Sequence, residues 1–217
     1  MTTTTPVVYI VDDDADMRDS LVYLMQSVGL VTEAYASPHD FFQAYRRSGP
    51  ACLVCDVRMP EVSGLELYER LVAEGAALPV IFMTAYADVP MAIRAMKSGA
   101  IEFVEKPFHA QTLLERVQLA LSEDRRRWDE KLRFDDLELR MGLLTDKEQE
   151  ALSLIMDGSP NKAIAARFDI TERAVEMRRA SIMKKLQVHS LAELIRLVTE
   201  FRLLSENRTR RRPTAGG

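Results

Sequence analysis

Short apolar runs alternate with segments of helical period through the first 121 residues. The runs predict strands at Val7–Val11, Leu30–Ala34, Ala51–Asp56, Pro79–Thr84 and Ile101–Val104. Between them the period shifts to that of helices, over Ala15–Val28, Pro38–Ser48, Gly64–Glu74 and Val89–Ser98, with a fifth starting near Ala110. Five strand–helix repeats in this length predict a doubly wound, five-stranded parallel sheet. Runs such as VVYIV and VIFM are apolar at every position, as strands covered by helices on both faces must be.

The pattern then changes. Leu114, Val117, Leu121, Trp128 and Leu132 keep a partial seven-residue seam through a densely charged stretch. That seam fits either a two-stranded coil between protomers or a solvated linker helix, and Asp135–Gly142 reads as a hinge. From 143 onward no strand pattern remains. Thr145 and Glu148 form a capping box, the run from Asp157 to Pro160 breaks the helix, and a short helix over Asn161–Phe168 follows. Asp169–Thr171 is a turn, Thr171 caps a helix to Leu186, and Ser190 caps a last helix through about Phe201. The predicted organisation is an α/β domain over 1–121, a linker over 122–142, an all-α four-helix domain over 143–204 and a disordered basic tail over 205–217.

Composition changes this picture little, but charge does. At 47% hydrophobic and 29% charged the chain reads as an ordinary globular protein. No apolar run reaches the roughly 20 residues that span a bilayer, and the N-terminus carries no secretion pattern, so a cytoplasmic, membrane-free protein is expected. The formal charge of −4 is unevenly spread: 16 acidic against 9 basic residues up to 121, 17 against 20 after it. An acidic first half suits a cation and a basic second half suits a polyanion. Cys52 and Cys55 are three apart on a predicted strand, so their thiols point to opposite faces and read as buried side chains rather than a redox pair.

Candidate chemistry gathers at strand ends. Asp12 and Asp13 follow the first strand, Asp56 ends the third, Thr84 the fourth, and Lys106 follows the fifth. In an open parallel sheet all of these lie at the carboxyl edge, where ligands bind. Crowded carboxylates repel one another, and a hard divalent cation such as Mg²⁺ relieves the conflict. Asp56, at the end of the central strand, is placed as a nucleophile toward phosphorus. Lys106 supplies an ammonium for the phosphoryl oxygens and Thr84 a hydroxyl. A phosphatase with a nucleophilic Asp on a similar sheet would want a second acid two residues on, where this chain has Arg58.

With V-D-D at 11–13, D-x-x-M-P…G at 56–64, T-A at 84–85 and K-P-F at 106–108, the first half resembles the receiver domain of two-component response regulators, a flavodoxin-like fold. The resemblance implies that Asp56 accepts phosphate from a sensor histidine kinase. It implies that Asp13, Asp56 and the main-chain carbonyl of Arg58 bind Mg²⁺, with Asp12 acting mostly through water. Thr84 and Phe103 would be a switch pair, and the Lys106–Pro107 bond would be cis.

The second half reads as a helix-turn-helix, whose second helix enters the major groove. Val175, Ile182 and Leu186 mark its core-facing stripe, and the opposite stripe carries Arg173, Glu176, Met177, Ala180 and Lys184. Arg173 and Lys184 suit phosphates, or Arg173 a guanine, Glu176 a cytosine amine, Met177 a thymine methyl, and Lys162 at the start of the shorter helix another phosphate. The blocks L-T-x-x-E-x-x-x-L, G-x-x-N-K-x-I-A and V-E-x-x-R-x-x-I-x-x-K-L resemble the LuxR-type domain of the NarL/FixJ regulators. That resemblance points to Glu176, Met177 and Ala180 as groove-facing. It also marks a departure at Arg178, where the family usually has His; Arg keeps a phosphate contact available but changes its reach.

The expected function is a response-regulator transcription factor rather than a classified enzyme. Its expected partners are a sensor histidine kinase, promoter DNA, a second copy of itself on phosphorylation, and RNA polymerase as a further candidate. Two other readings stand beside it: a constitutive DNA-binding regulator whose receiver is never phosphorylated, and a phosphate sink or protein-interaction adaptor.

Overall fold

A computed structural model of the chain describes residues 4–76, 78–85 and 102–211. The helix expected over Val89–Ser98 lies outside them. The chain divides into two units, Met1–Asp129 and Glu130–Gly217.

The first unit is built on strands β1 (Val7–Val11), β2 (Val31–Tyr35), β3 (Ala51–Asp56), β4 (Val80–Thr84) and β5 (Glu102–Glu105). All four pairings are parallel, in the order β2-β1-β3-β4-β5. Helices α1 (Ala15–Ser27), α2 (Pro38–Ala44), α3 (Gly64–Ala73) and the start of α4 (Ala110–Met141) flank it. Strand alternation sorts the side chains into two cores. Tyr9, Val11, Leu53, Cys55 and Phe82 pack with Phe41, Leu67 and Leu71 on one face. Val8, Ile10, Cys52, Val54 and Met83 pack with Leu21, Met25, Leu113 and Val117 on the other. β3 is buried at all six positions, each large side chain contributing about 1.5–3 kcal/mol of apolar burial. Cys52 and Cys55 fall into opposite cores as free, buried thiols, and burial raises the pKa of both.

Most element ends fall within one residue of expectation, and two differences here are larger. α2 stops at Ala44 rather than Ser48, because the chain beyond it turns to other partners. Tyr45 stacks on Phe41 with ring centroids 4.9 Å apart. The Arg47 guanidinium grips both oxygens of Asp124, at 2.8 and 2.6 Å. Asp124 is fully buried, also accepts from the Ala51 N–H, and sits one turn before Trp128, over whose ring Arg47 lies. The second difference is in α4, which is one helix through the stretch expected to hinge. Leu114, Val117 and Leu121 are spent in the core of the first unit and Trp128 packs beneath Arg47, so no continuous seam is left for a two-stranded coil.

The second unit comprises the end of α4 with α5 (Asp146–Met156), α6 (Asn161–Phe168), α7 (Glu172–Leu186) and α8 (Leu191–Arg211). Its core joins Leu137, Leu152, Ile155, Ile164, Val175, Ile182, Leu186, Leu194, Leu197 and Val198. The expected caps form: Thr145 with Glu148 in a capping box, Thr171 on the N–H of Ala174, and Ser190 on the N–H of Glu193. α8 runs ten residues past Phe201, so the basic tail is helical as far as Arg211. Contacts with α4 hold this helix: Phe201 stacks on Phe134 at 5.5 Å, Arg133 forms a two-pronged pair with Glu200, and in the extension Arg208 lies over the Phe134 ring.

Candidate functional sites: an acidic pocket and a helical DNA-facing surface

The sheet register brings the strand ends together. Asp56 is paired with Met83 on β4, and the Lys106 N–H donates to the Thr84 carbonyl at 2.7 Å. Asp12, Asp56 and Thr84 are buried, at 1%, 8% and 4% exposure. The Lys106 ammonium bridges the two carboxylates, 2.5 Å from Asp56 Oδ1 and 3.1 Å from Asp12 Oδ2. The second oxygen of Asp56 accepts from the Arg58 N–H at 2.7 Å, and that of Asp12 from the Asp14 N–H at 2.9 Å. The Lys106–Pro107 peptide is cis.

Burial raises the Asp12 pKa, with Lys106 only partly offsetting it. For Lys106, burial works to lower the pKa, but hydrogen bonds to Asp56 and Asp12 outweigh it and the net shift is upward. Besides the Lys106 ammonium, the buried side chains gathered here, Asp12, Asp56 and Thr84, present oxygen. This donor set fits a hard divalent cation. Asp13 stands exposed beside it. Among the described residues no three acidic, His or Cys side chains lie close enough to ligate one ion; the Lys106 ammonium holds the space between Asp12 and Asp56.

Local sequence builds this pocket. Gly64 opens α3 directly beneath Asp56, where a Cβ would overlap the Asp56 main-chain oxygen and the Cys55 sulfur. The Ser63–Glu66 capping box holds that helix start. Phe103 is half-buried with its ring 5.2 Å from Phe82. Tyr86, which follows Thr84 by two, lies outside the described residues. Two features have no counterpart in the sequence reading: the Arg47–Asp124 pair at the far end of β3, and Arg18, whose Nη1 donates to the Asp12 carbonyl at 2.7 Å.

On α7, Val175, Ile182 and Leu186 are buried as the stripe required. Arg173, Glu176, Met177, Ala180 and Lys184 are exposed, as is Lys162 on α6; Met177 is 70% exposed. The Arg178 guanidinium stacks on the Phe168 ring at 4.5 Å, where a planar cation gains from an aromatic face within reach. Its neighbour Arg179 donates to Asn161 at the start of α6. The helix is seated by Glu148, a buried carboxylate on α5. It accepts from Thr145, from Ser181 at 2.7 Å and from Lys185 at 2.6 Å. The Lys185 hydrogen bond is the main cause that brings the Glu148 pKa down to about 2.

A parallel sheet with buried acids and a lysine at its carboxyl edge, joined to a capped helix-turn-helix, defines a receiver with a DNA-binding output. The family described as "Response regulator receiver domain" matches residues 8–118, and the one described as "Bacterial regulatory proteins, luxR family" matches 142–198. The transcriptional regulatory protein FixJ of Bradyrhizobium diazoefficiens is 36% identical, over 94% of this chain and 100% of its own. The response regulator protein TodT of Pseudomonas putida is 38% identical, over 89% of this chain and 85% of its own. The solved structure of the response regulator StyR superposes with a TM-score of 0.87 at 41% identity, over 91% of this chain and all of its own. The chain belongs to the NarL/FixJ family of two-component response regulators. It is a transcription factor with a receiver domain and a LuxR-type DNA-binding domain.

Proposed function

We propose that Asp56 takes a phosphoryl group from the phosphohistidine of a sensor kinase, and that the modified receiver promotes dimerisation and binding to promoter DNA. The observation that carries this reading is the Lys106 bridge between Asp56 and Asp12 in a buried pocket. An Asp56 oxygen forms the new bond to phosphorus as the phosphorus–nitrogen bond to the kinase histidine breaks, leaving the electron pair on the imidazole. Lys106 keeps its contact with the pocket and shields the oxygens of the transferred group. Asp12, Asp13, Asp56 and the Arg58 carbonyl would hold Mg²⁺, which when bound neutralises charge on phosphoryl oxygens. Thr84 turns its hydroxyl to the new phosphate and Phe103 repacks behind it, so the modification biases a pre-existing equilibrium. This chemistry takes place in the cytoplasm; no described helix is long and apolar enough to cross a membrane.

On the DNA side, Arg173, Lys184 and Lys162 neutralise phosphates while Glu176, Met177 and Ala180 face base edges. Arg178, stacked on Phe168, braces α7 against α6. The test measures duplex affinity and oligomeric state of the full chain with and without acetyl phosphate and Mg²⁺, beside Asp56→Asn. Phosphorylation is expected to tighten binding and produce dimers in the wild type alone. Equal affinity in all samples would support a constitutive regulator, and no salt-dependent duplex binding would support an adaptor.

A further inference from the structure

The loop between β1 and α1 carries a cation in an unexpected place. Arg18 lies in the first turn of α1, at the positive end of the helix dipole, where a guanidinium is repelled and acidic residues such as Asp16 are favoured. Something must compensate. The Arg18 side chain folds back past the helix start, becomes partly buried, and donates from Nη1 to the Asp12 carbonyl at 2.7 Å. That carbonyl belongs to the peptide joining Asp12 to Asp13.

Asp12 is held at its other groups too. Its N–H donates to the Tyr35 carbonyl, one carboxylate oxygen accepts from the Asp14 N–H, and the other accepts from Lys106. Asp14 in turn caps α1 through the N–H groups of Asp16 and Met17. The Asp12 side of the loop is fixed by these bonds, while Asp13 is exposed. The orientation of the Asp12–Asp13 peptide plane then decides where the Asp13 side chain starts from, and Arg18 holds that plane.

We propose that Arg18 is a positioning residue for the divalent-cation site: it orients the acidic loop so that Asp13 is offered at the rim of the pocket. The proposal rests on the reading of the pocket as a Mg²⁺ site. A simple charge effect has the opposite sign. Removing a cation beside an acidic pocket would strengthen attraction for Mg²⁺, whereas removing a brace that orients a ligand weakens binding. Loss of outer supports of this kind typically costs roughly ten- to a hundredfold in metal affinity.

The experiment titrates Mg²⁺ into the full-length protein by calorimetry, with no phosphodonor present, for the wild type, Arg18→Ala and Arg18→Lys. Circular dichroism melting shows that each variant is folded. Arg18→Ala is expected to bind Mg²⁺ about tenfold more weakly, and Arg18→Lys, which retains a donor, to recover part of the loss. In acetyl phosphate labelling, the Arg18→Ala protein should need correspondingly more Mg²⁺ for half-maximal modification. Unchanged or tighter Mg²⁺ binding by a folded Arg18→Ala protein overturns the proposal and leaves the pocket reading standing. A wild type that binds no Mg²⁺ overturns the pocket reading and the Arg18 proposal with it.

Discussion

In the receiver unit three carboxylates, Asp12, Asp56 and Asp124, are 1%, 8% and 0% exposed, and each is met by a cation: Lys106 for the first two, Arg47 for the third. In the helical unit Glu148 is the one buried charged group among the described residues, and its bonds tie helices to one another. The residues proposed to meet DNA there are exposed, Met177 most visibly. The contrast fits the two proposed tasks. A phosphoryl site needs charges held in low dielectric, where each is worth more and is costly if left alone. A DNA-binding face needs solvated charges that exchange counterions for phosphates, supported by a scaffold that stays in place.

The contrast breaks first, and most visibly, at Asp124. Asp124→Ala leaves the Arg47 guanidinium without its buried partner, and should cost about 3–5 kcal/mol of receiver stability in urea unfolding. Replacing both partners with apolar residues should recover much of the loss. A loss below about 1 kcal/mol would place this pair with ordinary surface ion pairs and remove the distinction.

Next in size is Glu148. Glu148→Gln loses charge-assisted bonds to Lys185 and Ser181, and should lower the stability of the helical unit by about 2 kcal/mol near neutral pH. The folded carboxyl titrates at about 2, below its ordinary 4.5. Its contribution is therefore full above about pH 4.5 and is lost as the pH falls toward 2. The stability gap between wild type and Glu148→Gln, followed by denaturant titration, should close over that window.

Smaller effects sharpen the description of the DNA-facing surface. Arg173→Ala and Lys184→Ala should each reduce the slope of log affinity against log salt by about 1. Arg178→Ala should weaken binding with the slope unchanged, because its guanidinium is stacked on Phe168. A slope change in Arg178→Ala would make it a phosphate contact after all. The smallest effect is expected at Arg133 and Glu200, 44% and 36% exposed. Arg133→Gln should cost less than about 1 kcal/mol, and the difference should vanish at high salt.

The legible parts of the molecule are those where period and position carry the information. Asp56, Thr84 and Lys106 could be read because each closes an apolar run, and parallel pairing then forces them to one edge. The recognition helix could be read because Thr171 caps it and Val175, Ile182 and Leu186 repeat on one face. Asp124 was hidden for the opposite reason. It stands in the charged run SEDRRR, which looks solvated, and its partner is 77 positions away in a segment whose period predicts helix, from which Arg47 is drawn off to meet it. The same holds for the end of α8, where Arg208 reads as a tail residue unless Phe134 is known to lie beneath it. Arg18 could not be singled out, since its one long reach is to a main-chain oxygen six residues back, and no side-chain pattern records that.

The central claim is that Asp56 is an acceptor poised by Asp12 and Lys106. Its most direct test incubates the full-length protein with acetyl phosphate and Mg²⁺ and follows the intact mass. The wild type should gain a single phosphoryl group, mapped to Asp56 by reductive trapping and absent from Asp56→Asn. A wild type that stays unmodified, or an Asp56→Asn protein modified to the same extent, would contradict it.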